Sequence, residues 1–265
     1  MASRKIIPFI GVYDVLSATL AARHYDGLFI SGFSFAASYY GLPDIGFISW
    51  SDIVAFVQRV RTVLPRHHLI VDIDDGYCDV EVGCHVTHLL ETIGASGVII
   101  EDQKRPRKCG HFDGKQIMEL EDFVVKLKRV LTTRQDMIVV ARTDANEIEE
   151  ISRRVFAFQE AGADVILVDG IKNFEMLKEV KKHVTKPLMF NQIAGGKTGP
   201  CTLKELSDAG VSLVNYSTPC LFAAQVAVDK AIRLLKENDG LLSSEVGIKQ
   251  CTAILNENLE GRDKR

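Results

Sequence analysis

Eight short apolar runs recur along the chain, and between successive runs there is room for one helix. They read IIPFIGV (6–12), GLFIS (27–31), LIVDI (69–73), GVIIE (97–101), MIVVAR (137–142), DVILVD (164–169), PLMF (187–190) and VSLVNY (211–216). Alternation of β-rich runs with helix-length segments is the pattern of repeated βα units around a parallel sheet. The intervening SDIVAFVQRVRTVL, EDFVVKLKRVL and NFEMLKEVKKHV carry apolar residues at helical spacing. A small-residue turn precedes several strands, as in GASGVII, AGADVIL and DAGVSLV, where glycine ends a helix and releases the chain. Eight units predict an α/β fold of the (β/α)8 TIM-barrel type. An open doubly wound sheet is the competing arrangement, but no GxGxxG follows the first strand, so its usual phosphate-binding device is missing.

A chain of 265 residues, 46% of them hydrophobic, buries a large core, and no break in composition divides it. We expect residues 1–237 to form a barrel catalytic domain. Residues 238–265 read as a polar loop and a short amphipathic segment, GIKQCTAILNENL, packing on the barrel or on a neighbouring subunit. The 32 basic and 35 acidic residues are well mixed and leave a net charge of -3, which gives no field to attract nucleic acid. A small-molecule partner is the better expectation. The N-terminal apolar stretch is too short for a secretory signal and no run has the length to span a bilayer, so a cytoplasmic protein without a membrane partner is expected. Six scattered cysteines (78, 84, 109, 201, 220, 251) then read as free thiols.

A barrel gathers its catalytic groups where the strands end, at the C-terminal mouth. The predicted ends are polar: Ser31, Asp72 and Asp74, Glu101, Arg142, Asp169, Asn191, and Tyr216 with Ser217. Strand alternation puts Asp72 and Asp74 on one face, and two like charges held together call for a cation. With Glu101 and with Asp44 from GLPDIG they offer hard oxygen ligands suited to Mg²⁺. The alternative role for such acids is to cap helices or pair with arginines.

The loop EDQKRPRKCGHFDGK follows the fourth strand and carries Cys109 between Arg107-Lys108 and His111. Cationic neighbours stabilise a thiolate, so this thiol is expected to exchange a proton with a carbanion or enolate near neutral pH. Cys78, Cys84, His85 and His88 are close enough to suggest zinc, yet the helix CDVEVGCHVTHLLE needs its Val and Leu stripe for the sheet, which favours packing. NQIAGGKTG ends like a phosphate-binding loop, but Asn191 takes the place of the first glycine and Gly199-Pro200 interrupts the helix that should follow, which excludes nucleotide triphosphates.

Taken in order, GVYDVLSA, GLPDIG, the Asp-x-Asp-x-Gly-Tyr of DIDDGY, ED followed by KCGH, and ARTDA resemble the isocitrate lyase / phosphoenolpyruvate mutase superfamily, nearest its short methylisocitrate lyase-like branch. The similarity runs from Gly11 to about Ala224. It implies a Mg²⁺-dependent barrel, with Mn²⁺ as a substitute, that binds a 2-oxo acid or its enolate and assembles as a homotetramer with an exchanged C-terminal helix. It further implies that Ser31, Gly32 and Phe33 hold the oxo-acid carboxylate and that Asp44, Asp72, Asp74 and Glu101 form the metal shell, partly through water. Arg142 would contact substrate, with Gly110, Asp169, Asn191 and Ser217 lining the same site. Cys109, with Glu101, His111 and Arg142, would carry catalysis: members that cleave C–C bonds have KCGH here and use the thiol to protonate the departing fragment, whereas phosphonate-forming mutases have asparagine.

The sequence departs from that pattern at Asp75, at Cys78-Asp79, at Phe33 and at Ser217, which follows Tyr216 where lyases often have proline. Serine there suggests the oxaloacetate hydrolase relatives. The expected reaction is therefore C–C cleavage of a small 2-hydroxy di- or tricarboxylate, of alkylmalate or methylisocitrate type. Hydrolysis of oxaloacetate to oxalate and acetate, P–C chemistry on a phosphonopyruvate-like substrate, and a barrel retained only as a binding module are the alternatives.

Overall fold

A computed structural model of the chain describes residues 6–77, 79–241 and 243–262. Eight parallel strands close into a barrel in sequence order: β1 (Ile7–Val12), β2 (Gly27–Ile30), β3 (His68–Asp72), β4 (Gly97–Glu101), β5 (Ile138–Thr143), β6 (Val165–Val168), β7 (Leu188–Gln192) and β8 (Leu213–Tyr216). β8 pairs back onto β1, with Phe9 opposite Asn215, so the sheet has no edge and the open doubly wound alternative is excluded.

The helices are α1 (Val15–Ala22), α2 (Gly32–Phe35), α3 (Trp50–Val63), α4 (Val80–Thr92), α5 (Leu120–Thr133), α6 (Ile148–Ala161), α7 (Phe174–His183), α8 (Leu203–Asp208), α9 (Pro219–Glu237) and α10 (Ile248–Arg262). One π-helical stretch, Ala36–Tyr40, continues α2. Helix starts follow side-chain chemistry: Ser49, Asp79, Asn173 and Thr202 each accept a backbone N–H of the first turn. α6 ends at Gly162, φ +100°, the left-handed turn expected of AGADVIL.

Two apolar layers hold the barrel together. The outward side chains of the strands pack under the helices, where Val71, Val98, Val139 and Ile166 meet Phe56, Leu90, Leu127 and Phe158 in one buried cluster. The inward side chains fill the barrel: Phe9, Phe29, Ile70, Ile99, Val140, Leu167, Met189 and Leu213. The two-residue period of a strand then decides what comes next on the inner face. Two positions beyond those apolar residues stand Ser31, Asp72, Glu101, Arg142, Asp169, Asn191 and Asn215, one polar layer over an oily plug.

α9 and α10 differ from the other long helices. α9 has no buried residue, and Val226, Val228 and Ile232 lie exposed along it. α10 lies against α3, with the Asn258 amide donating to Thr19 Oγ1 at 3.0 Å. No helix among the described residues is long and apolar enough to cross a membrane.

Candidate active site

Ser31, Phe33, Asp44, Asp72, Cys109, Gly110, Arg142, Asp169, Asn191 and Ser217 line a single cavity at the C-terminal mouth. The cavity has a volume of about 20 Å³, room for about one water, so a carboxylate substrate enters only if a loop moves. Gly32, Asp74, Glu101 and His111 stand just behind this lining. A side chain at Gly32 would come within 3.2 Å of Asp72 Oδ2 and 3.5 Å of Asp74 Oδ1, so its bare Cα faces both acids.

The loop after β4 folds inward. Arg107, although in a loop, is 1% exposed, and its guanidinium lies among the acids expected to hold a metal. Nε donates to Glu101 Oε1 at 2.8 Å, Nη1 pairs with Asp44, and the same Nη1 is 3.3 Å from Asp74 Oδ1. Arg107 therefore does not face Cys109. Arg105 turns elsewhere, taking Asp75 in two contacts of 3.1 and 2.8 Å and donating to the Gly46 carbonyl, and so joins three loops. The unexpected acid at Asp75 is thus a partner for a loop arginine.

Arg142 is the second cation of the mouth. It reaches Glu101 Oε2 at 3.1 Å, Asp144 Oδ2 at 2.9 Å and Asp169 Oδ2 at 2.8 Å. Burial alone would raise the Asp169 carboxyl, but Arg142 and His111 hold it far below the usual carboxylate range. An ionised Asp169 only accepts hydrogen bonds, so Asn191 must turn its amide N–H toward it, at 3.0 Å. The Asn191 carbonyl oxygen is left for the Ser217 hydroxyl, which donates to it. His111 is oriented by the loop after β7: the Lys197 N–H donates to Nδ1 at 3.2 Å, so the ring hydrogen sits on Nε2, 3.4 Å from Asp169 Oδ1.

The environment of Cys109 reverses one expectation. Flanking Lys108 and Arg107 predict a thiolate, but Arg107 is engaged by acids and Lys108 reaches outward to the Asp113 carbonyl. Burial, and next the charge of Asp169, push the Cys109 thiol up to about 11. At neutral pH the sulfur holds its proton, the form needed to deliver one. Gly110 beside it is required by closeness: a Cβ there would lie 2.0 Å from Asp169 Oδ2.

The acids that sequence reasoning assigns to a metal fit a cation in part. Burial raises the carboxyls of Asp72 and Asp74, and burial lifts Glu101 to about 7 against the pull of Arg107 and Arg142. Both Asp74 oxygens are buried without a hydrogen-bond donor, an arrangement that a cation would relieve. Arg107 hydrogen-bonds Asp44 and Glu101 but meets Asp74 only as an ion pair at 3.3 Å, so the acids most open to a metal are Asp72 and Asp74. Among the described residues no three His, Cys, Asp or Glu side chains are grouped so as to hold a metal ion, so the acids of the mouth do not form a closed ligand set by themselves. For zinc, Cys84 is buried in the helix layer, His85 packs edge-on to Trp50, and Cys78 lies outside the described residues.

Three participants escape a reading of the sequence. Asp144, in ARTDA, receives Arg142 through two contacts. Lys115, at the end of the Cys109 loop, is buried against Asp144 at 2.8 Å. Asn215 is buried at the cavity wall with its Oδ1 unpartnered. The strand period alone would have marked Asn215, two residues before Ser217 on the inner face.

Comparison with known proteins agrees with the barrel fold. Residues 1–236 match the phosphoenolpyruvate phosphomutase family. The 2-methylisocitrate lyase of Aeropyrum pernix is 33% identical over 238 residues, covering 88% of this chain and 77% of that protein. The crystal structure of 2,3-dimethylmalate lyase superposes with a TM-score of 0.92 at 29% identity, over 97% of this chain and 90% of that one. Oxaloacetate acetylhydrolase, 24% identical, shares the fold with a TM-score of 0.92 over 98% and 92% of the two chains. The chain belongs to the phosphoenolpyruvate mutase/isocitrate lyase superfamily.

Proposed function

We propose that this protein is a divalent-metal-dependent C–C lyase that cleaves a small 2-hydroxy di- or tricarboxylate of the alkylmalate or methylisocitrate type. The observation that carries this reading is the placement of the Cys109 thiol at the same cavity as Arg142, Asp169 and Ser31, where burial raises the thiol and so favours its protonated form. Mg²⁺, or Mn²⁺ in its place, would be held by Asp72 and Asp74, with Asp44 and Glu101 behind them, and would lower the energy of negative charge on the substrate oxygens.

The protein's own groups then account for the rest. Ser31, Gly32 and Phe33, where β2 passes into α2, receive the carboxylate next to the 2-hydroxyl carbon. Arg142 stabilises the oxygen of that hydroxyl as its proton passes to the carboxylate of Glu101, which lies 3.1 Å from Arg142. As the C–O bond becomes a carbonyl, the C–C pair departs as an enolate-like fragment. Cys109 donates its S–H proton to the departing carbon, and His111 and Asp169 keep that corner of the site in register. Cysteine at this position, in place of the mutases' asparagine, favours C–C over P–C cleavage.

Ser217 supports a second reading, hydrolysis of oxaloacetate to oxalate and acetate. Its side chain lines the cavity and is fixed by Asn191, which suits a role beside an added water. We further propose a cytoplasmic homotetramer in which residues 1–237 form the catalytic domain and the C-terminal segment packs against a neighbouring subunit; the exposed Val226, Val228 and Ile232 support this. Incubation with Mg²⁺ and 2,3-dimethylmalate, 2-methylisocitrate, oxaloacetate or phosphonopyruvate tests these readings. Release of pyruvate or glyoxylate from a hydroxy acid is expected. Oxalate from oxaloacetate, abolished in Ser217→Pro, would select the second reading, and turnover of phosphonopyruvate alone would overturn both.

A further inference from the structure

Outside the lining of the cavity lies a buried charge link. Lys115 Nζ donates to the carbonyl oxygen of Gly110 and to Asp144 Oδ1, the latter at 2.8 Å, and its side chain is 1% exposed. Asp144 in turn receives Arg142 Nε at 2.9 Å and Nη2 at 3.2 Å. The position of Asp144 is itself fixed from below: its N–H donates to Asp102 Oδ1, and Asp102 Oδ2 is paired with Arg154 at 3.0 Å. Gly170 leaves the space for this meeting, since a Cβ there would lie 2.4 Å from the Gly110 carbonyl oxygen.

We infer that Lys115 is a positioning residue that ties the Cys109 loop to Arg142 through Asp144, so that the proton donor and the substrate-binding cation are set at a common distance. A long flexible lysine is a costly group to bury, and packing alone does not account for it when its three donors could remain in water. Here the ammonium spans two elements far apart in sequence, the loop carbonyl at 110 and the β5 end at 144. The carbonyl it grips belongs to the residue next to Cys109. Loss of Lys115 leaves Asp144 still paired with Arg142, so the barrel is expected to fold without it, while the loop loses its charged anchor.

The activity readout rests on the proposed lyase reading; the chemical readout does not. Lys115→Met is compared with the intact protein by iodoacetamide labelling, following the Cys109 and Cys201 peptides separately by mass spectrometry. With the melting temperature unchanged, Cys109 should label about tenfold faster relative to Cys201, the effect of losing one charge-assisted hydrogen bond. On the substrate found above, kcat should fall about a hundredfold with KM changed far less. Lys115→Arg should restore part of the labelling protection. In an Asp144→Asn background, Lys115→Met should cost little more, because both act through the same link. An unchanged Cys109/Cys201 ratio, or a full multiplicative loss in the double variant, would overturn the inference. If Lys115→Met does not fold, Lys115→Gln carries the same comparison. If no substrate is turned over by the intact protein, the lyase reading fails while the labelling ratio still decides the role of Lys115.

Discussion

The barrel mouth and helix α9 break the usual inside-out distribution of residues in opposite senses. At the mouth, Asp44, Asp72, Asp74, Glu101, Asp144 and Asp169 are buried together, with Arg107, Arg142 and Lys115 as the cations among them. On α9, valine and isoleucine face water. The mouth is dense with internal partners yet keeps a surplus of negative charge, which asks for something small and positive. α9 makes few contacts with its own barrel, and its apolar side asks for a surface. In the reading proposed above, one departure from the rule is completed by a ligand and the other by a neighbouring subunit.

Perturbing the mouth should have the larger consequences. Cys109→Ala is expected to lower kcat by about 10²–10⁴, the range for a general acid, with an unchanged melting curve; a fall under tenfold in steady-state assays would place the proton donor elsewhere. Arg107→Met leaves buried Asp44 and Asp74 without their cation, while Glu101 keeps Arg142, and should destabilise the metal-free protein by about 3–5 kcal/mol in urea unfolding. Added Mg²⁺ should recover part of that loss, and no recovery would argue against a cation at Asp72 and Asp74. Gly110→Ala should reduce turnover about a hundredfold, since the methyl displaces the loop by more than an ångström.

Two smaller effects separate the regions further. Burial lifts Glu101 to about 7 from an ordinary 4.5 and Asp102 to about 6 from 3.8, so the folded chain keeps protons that the unfolded chain has released. Their contribution is therefore most favourable at low pH and is lost as pH rises from about 4 to about 7. In EDTA the unfolding free energy should decline across that interval. A rise instead would show that Asp169, whose lowered pKa acts in the opposite direction at more acid pH, is not the exception among these acids. On α9, Ile232→Asp should alter the stability of a single chain by only about 0.5 kcal/mol, while sedimentation shows dissociation of the assembly. An unchanged sedimentation coefficient would leave the helix without a partner of its own kind.

The strands and the polar ring at their ends were legible because each follows from a period of two read against a local apolar run. The identities of Asp72, Glu101, Arg142, Asp169 and Asn191 in that ring could be read directly. The direction of a loop side chain has no such period. Arg107 and Lys108 look alike in EDQKRPRKCGHFDGK, and only the meeting of the loops after β2, β3 and β4 turns the first inward and the second outward. For the same reason a thiol expected to be acidic became the reverse: flanking charge was visible, burial was not. Lys115 and Asp144 escaped because their ion pair joins positions 29 residues apart, and the other bond of Lys115 goes to the Gly110 carbonyl, which carries no residue type.

Ser217 gives the cavity a polarity that can be used in inhibitor chemistry. Its only hydrogen is given to Asn191, and Asn191 cannot reverse because an ionised Asp169 holds its other end. What the serine oxygen shows to a ligand is therefore lone pairs alone. A carboxylate placed there would meet like against like, whereas a hydroxyl, a ketone hydrate or an ammonium group would bring the missing hydrogen. Compounds carrying such a donor at the β8 side, and their anionic group toward Arg142, should be recognised in one orientation and not in its reverse.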